Sequence, residues 1–139
     1  MKNYKFKMEK VLEYRENVER VKVEDYAKIN YSLSKEKERL DTLQENLNEK
    51  TKVHSTDLNA MRMNFLYREK LKAEVDRQMS KVQEISIKAD TAQQILIEAR
   101  KDRKIMEMLK EKDQEKFRLE RLNSEQKELD DLSIMRFAK

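Results

Sequence analysis

The chain has 139 residues, 43% of them charged, and no Gly, Pro, Cys or Trp. Compact globular domains use Gly or Pro in their turns, whereas a charged chain of helical period without either is a coiled coil with few loops, so one coiled-coil domain over residues 1–139 is expected. Lys and Arg number 32 against 28 Asp and Glu, a net charge of +4 with both signs interleaved, which describes a solvated helix surface and argues against the concentrated base of a nucleic-acid binder.

The first helical pattern runs over about residues 4–50. Its clearest part is Tyr26, Ile29, Leu33, Leu40, Leu43 and Leu47, whose spacings of 3, 4, 7, 3 and 4 make one heptad stripe. Tyr4, Met8, Val11, Leu12, Val18 and Val21 continue it upstream on a broader face. Glu36 falls on the stripe and is expected to snorkel or to pair with a base.

The pattern stops at about residues 51–57, where short polar residues gather around Lys50-Thr51-Lys52-Val53-His54-Ser55-Thr56-Asp57. Such residues compete with the helical backbone through their own hydrogen bonds and favour caps and turns. Asp57, or Ser55 or Thr56 beside it, is placed to cap a following helix. The run therefore reads as a fold-back between two helices.

The second pattern runs over about residues 58–136. Leu58, Met61 and Phe65 open it, and Leu71, Val75, Val82, Ile85, Ala89, Ala92, Leu96, Ala99 and Met106 follow in one register, with Gln78 and Arg103 as polar interruptions. The small residues at 89, 92 and 99 would let two helices approach closely. Met61, Met79 and Met106 read as seam fillers, and Met63 and Met108 lie off the seam. A fold-back near residue 54 makes position i face about 108 minus i, so that Leu43 meets Phe65, Leu33 meets Val75 and Leu12 meets Leu96. At 1.5 Å per residue the first helix would be about 70 Å long and the second about 118 Å. Past Met106 the seam thins. Glu115–Arg118 and Arg121–Glu125 support a continuing helix weakly, and Leu129, Leu132, Ile134, Met135 and Phe137 make an apolar end that fits either a docking surface or a frayed terminus. The fold class is all-α, an antiparallel two-helix coiled coil (an α-hairpin) with a longer second helix.

Chemistry is scarce. The one His, His54, sits in the turn, and a metal site needs several ligands brought together. No Cys nucleophile and no Gly-rich phosphate loop is present, so no catalytic, cofactor-binding or metal-binding residue is expected, and no enzyme. No apolar run approaches the roughly 18 residues of a membrane span, and the first residues lack a signal-peptide core. These features predict a cytoplasmic protein that meets a membrane only through partners.

Three segments carry a family resemblance. The opening, Tyr4-Lys5-Phe6 with Met8, Val11-Leu12 and Arg15, resembles the start of FliJ-type flagellar export proteins. The close, Glu125-Gln126-Lys127-Glu128-Leu129-Asp130-Asp131, is similar to that family's C-terminal motif. Between them Tyr67, Leu71, Val75 and Gln78 resemble the pattern that opens its second helix. The resemblance implies a non-enzymatic, stalk-like coiled coil of the flagellar type III export apparatus, at the inner face of the cell membrane at the flagellar base, and a monomer in isolation. The implied partners are the hexameric export ATPase and its regulator, the membrane export gate protein and the export substrate chaperones, with no nucleic acid and no direct membrane insertion. By motif, the gate-binding face maps to Tyr67, Leu71, Glu74 and Gln78. The paired chain ends that would enter the ATPase pore carry Phe6, Val11, Leu12, Leu122, Leu129 and Leu132.

A different class of function also fits the residues: a self-assembling scaffold in which one continuous helix forms a parallel homodimer. Such a helix would be about 210 Å long.

Overall fold

A computed structural model describes residues 3–54 and 56–138. Among the described residues there are two helices, α1 (Glu9–Lys52) and α2 (Leu58–Phe137), and they pack as an antiparallel hairpin with the longer helix second. The end of α1 at Lys52 and the antiparallel return of α2 from Leu58 overturn the continuous helix of the scaffold reading. Helix α1 starts at Glu9, whose N–H donates to the carbonyl of Phe6. An acidic residue opens α1, and Lys50 and Lys52 lie in its last turn, the charge order that the helix dipole favours. Asp57 caps α2, its Oδ1 accepting the Asn59 N–H at 3.2 Å. Removing such a cap costs about 1 kcal/mol. The alternative cap Ser55 lies outside the described residues.

Two compact units make up the chain. The turn unit is Val21–Ile97, and the terminal unit joins the segment ending at Arg20 to the segment beginning at Glu98.

In the turn unit, Leu71, Val75, Gln78, Ala89 and Leu96 are buried, with Val82, Ile85 and Ala92 half-buried between them. They alternate at three and four residues and face the half-buried Tyr26, Ile29, Leu33, Glu36, Leu40, Leu43 and Leu47, a heptad seam. Glu36 pairs as expected. Lys81 Nζ lies 3.3 Å from its carboxylate, and the Gln78 amide donates to that carboxylate and, at 3.0 Å, to the Glu36 carbonyl.

These contacts correct the expected register. Glu36 meets positions 78 and 81, where the symmetric fold-back put position 72. At the turn, Asn64 donates its amide to the Val53 carbonyl at 3.3 Å, satisfying a carbonyl that the end of α1 leaves free. Helix α2 therefore makes about a turn and a half before it meets the end of α1. Leu58, Met61 and Phe65, expected to open the seam, stay exposed, Leu58 at 81%. Met79 is likewise exposed, so of the three methionines assigned to the seam only Met106 is buried.

Within the terminal unit, Leu12, Ala99 and Met106 are buried. Polar pairs line the rest of this seam. Arg15 Nη1 lies 3.2 Å from Asp102, Lys110 Nζ lies 2.9 Å from Glu9, and Glu19 pairs with both Arg100 and Arg103. The upstream stripe therefore differs from the expected one: Met8, Val11 and Val21 are exposed, while Arg15 and Glu19 are half-buried. Beyond Phe117 almost every side chain of α2 is exposed, although the helix runs on to Phe137.

Candidate functional site

The residues marked by motif on early α2 divide into two kinds. Leu71 is 4% exposed and Gln78 7%, both held in the seam of the turn unit. Tyr67 lies at the surface, with Lys50 Nζ 5.3 Å above its ring, and Glu74 is half-buried. Only Tyr67 and Glu74 of the four offer substantial surface to another molecule. Leu71 and Gln78 fix the helix that presents them, and Gln78 does so by holding Glu36. That hydrogen bond, ahead of the opposing desolvation and with help from Lys81, keeps the Glu36 carboxyl below its usual range.

Next to this face the structure exposes an apolar group, of which sequence reasoning assigned Leu58, Met61 and Phe65 to the seam. Leu58, Met61, Met63, Phe65 and Leu66 all face solvent. The signal was present: Phe65 and Leu71 are six apart, a spacing that a heptad stripe does not contain, whereas Asn64 and Arg68 occupy the half-buried positions that lead into Leu71.

The six terminal candidates also separate. Leu12 is buried, Phe6 is half-buried and Val11 is at the edge of exposure. Phe6 lines an open groove of about 550 Å³ together with Tyr4, Met8, Leu109 and Phe117. Tyr4 fastens the segment before α1 to α2: its ring lies 5.4 Å from that of Phe117, and its hydroxyl donates to Asp113 Oδ2 at 2.9 Å. Partial burial, and then the carboxylate that accepts its hydrogen bond, push the Tyr4 phenol up to about 12. Leu122, Leu129 and Leu132 are exposed on the stretch of α2 that α1 does not accompany, and Ile134, Met135 and Phe137 extend the apolar surface.

Nearby, Arg103 bridges the two helices of the terminal unit. Glu107 on its own helix contributes most to raising its affinity for the proton, against the cost of desolvation, and Glu19 adds to it. No helix among the described residues is long and apolar enough to cross a membrane. No group of three or more His, Cys, Asp or Glu among them could hold a metal ion.

A helical hairpin with open grooves, polar pairs across its seam and two uncovered apolar faces is built to bind other proteins. Residues 4–139 match the family model of the flagellar FliJ protein, and the chain belongs to that family. It is therefore a coiled-coil component of flagellar protein export that works with other parts of the export apparatus. No curated protein and no solved structure matches the chain.

Proposed function

We propose that this chain is the stalk-like coiled coil that couples the hexameric export ATPase to the membrane export gate, and that it also escorts substrate chaperones. The observation that carries this reading is the end of α2, where Leu122, Leu129 and Leu132 sit on a helix that no partner helix covers. An exposed apolar helix face of this kind is a recognition surface. The mixed charge around it suits a pore, because exposed ion pairs are individually weak and fix no single register. On this reading the terminal unit engages the ATPase and its regulator, through Phe6, Val11 and Leu12 on one segment and the three exposed leucines on the other. The turn unit engages the gate, through Tyr67 and Glu74 directly and through Leu71 and Gln78 beneath them. The protein then works in the cytoplasm, at the inner face of the membrane beside the flagellar base.

Affinity capture from the native cytoplasm tests the reading. The wild-type chain should recover a hexameric ATPase, and the double variant Leu129→Gln/Leu132→Gln should recover little of it. Tyr67→Ala should reduce capture of the gate protein and slow swarming while leaving the ATPase bound. Normal motility and normal capture with all three changes would sink the assignment of these surfaces.

A further inference from the structure

Beside the seam of the turn unit lies a groove of about 510 Å³ that the surfaces above do not use. Its floor is apolar: Ile29 from α1, and Ile87, Ala92 and Ile95 from α2. Ile87 and Ile95 are 60% and 45% exposed. They stand eight residues apart on one face, with Thr91 between them, so the strip covers about two helical turns, roughly 12 Å. The rim is basic: Lys22, Lys28 and Lys88 face a single acid, Asp25. Lys81, Arg100, Arg103 and Lys110 each pair with an acid of α1. None of the three rim lysines makes an ion pair among the described residues.

We infer that this groove docks an amphipathic helix of another protein, with its apolar stripe on Ile29, Ile87 and Ile95 and its flanking carboxylates against Lys22, Lys28 and Lys88. A groove between two helices accepts the side-chain ridge of a third, and anchors at i, i+3 or i+4, and i+7 match a strip two turns long. Lysines from both helices around the groove select an acidic flank and reject a basic one, because like charges brought together across an interface are costly. The inference does not rest on which partners engage the tail of α2 or the face around Tyr67. It adds a third surface, specific for charge as well as shape.

Two synthetic helical peptides with the same leucine stripe, one flanked by Glu and the other by Lys, test it against the full chain. Calorimetry should detect the Glu-flanked peptide and show at least about tenfold weaker binding of the Lys-flanked one. Amide shifts should cluster at residues 22–29 and 87–95. The variant Ile87→Asp/Ile95→Asp should weaken binding about tenfold or more with helical content unchanged, since both side chains are exposed in the free protein. Lys22→Glu/Lys28→Glu/Lys88→Glu should reverse the preference between the peptides. Equal binding of both peptides, no binding of either, or shifts mapping elsewhere would overturn the proposal. Sedimentation of the wild-type chain as a dimer that Ile87→Asp abolishes would also overturn it, by assigning the groove to a second copy of this chain.

Discussion

Helix α2 carries large apolar residues in two stretches that meet opposite fates. From Leu71 to Leu96, in the turn unit, the apolar side chains on the seam are buried or half-buried. From Leu119 to Phe137, in the terminal unit, they are all exposed, Phe137 at 92%. Neither stretch contains Gly or Pro, and both are continuous helix. What separates them is a partner: the first faces α1, and the second faces no other helix of the terminal unit. A coiled-coil side chain is buried by the opposite helix rather than by its own hydrophobicity. The same leucine is thus a stability residue in one stretch and a recognition residue in the other.

The sharpest way to break this contrast is Leu71→Asp. A carboxylate at a position 4% exposed loses the leucine contacts and is held away from water. The expected cost is about 3 kcal/mol or more, read as a lower urea midpoint and a loss of helical signal. If the variant instead keeps its stability and loses only gate binding, position 71 belongs with the exposed stretch.

Overpacking probes the same seam with a smaller expected effect. Ala89 is 5% exposed, in the seam between the two helices. Ala89→Leu should force them apart and cost about 1–3 kcal/mol. The same change at an exposed position of the bare stretch, Ser124→Leu, should leave the melting temperature nearly unmoved.

How much of this was legible from the residues differs along the chain. The seam from Leu71 to Met106 was, because a strict alternation of three and four with three alanines leaves one face to bury. The turn was legible to within a few residues, since a polar run interrupts two periodic segments. The register was not. It depends on how many residues α2 spends before it meets α1, and the Asn64 amide on the Val53 carbonyl sets that number through a contact no local pattern announces. The upstream seam was misread for a related reason. Arg15 and Glu19 look like surface residues until Asp102, Arg100 and Arg103 stand opposite them. For the candidate surfaces, motif placed Tyr67 and Leu71 on one face, but only the packing separated the exposed residue from the buried one.

Acid offers a gentler probe of the covered stretch. Glu36 is held below its ordinary value of 4.5, chiefly by the Gln78 hydrogen bond. A carboxyl depressed in the folded state adds stability that is present above the unfolded value and lost as pH falls through the folded one. Melting temperature should therefore decline as pH drops below about 4.5, and Glu36→Gln should make that decline shallower. Glu115, lowered by Arg118 on its own helix, reports on the local helix just before the other stretch. Superimposable acid curves for wild type and Glu36→Gln would show that the charge on Glu36 contributes no stability.

The smallest expected effect on stability belongs to Leu129→Gln/Leu132→Gln. Both leucines are exposed in the folded chain, so their removal uncovers nothing and leaves no cavity. Surface changes away from such features stay within about 0.5 kcal/mol, and Gln is nearly as good a helix former as Leu. The thermal transition and the helical signal should match the wild type while capture of the ATPase falls. That pairing of an unchanged fold with a lost partner is the reverse of what Leu71→Asp should produce, and it separates recognition from stability along one helix. A marked fall in melting temperature would instead mean that the end of α2 already packs against something in the free protein, and that these leucines form part of a core.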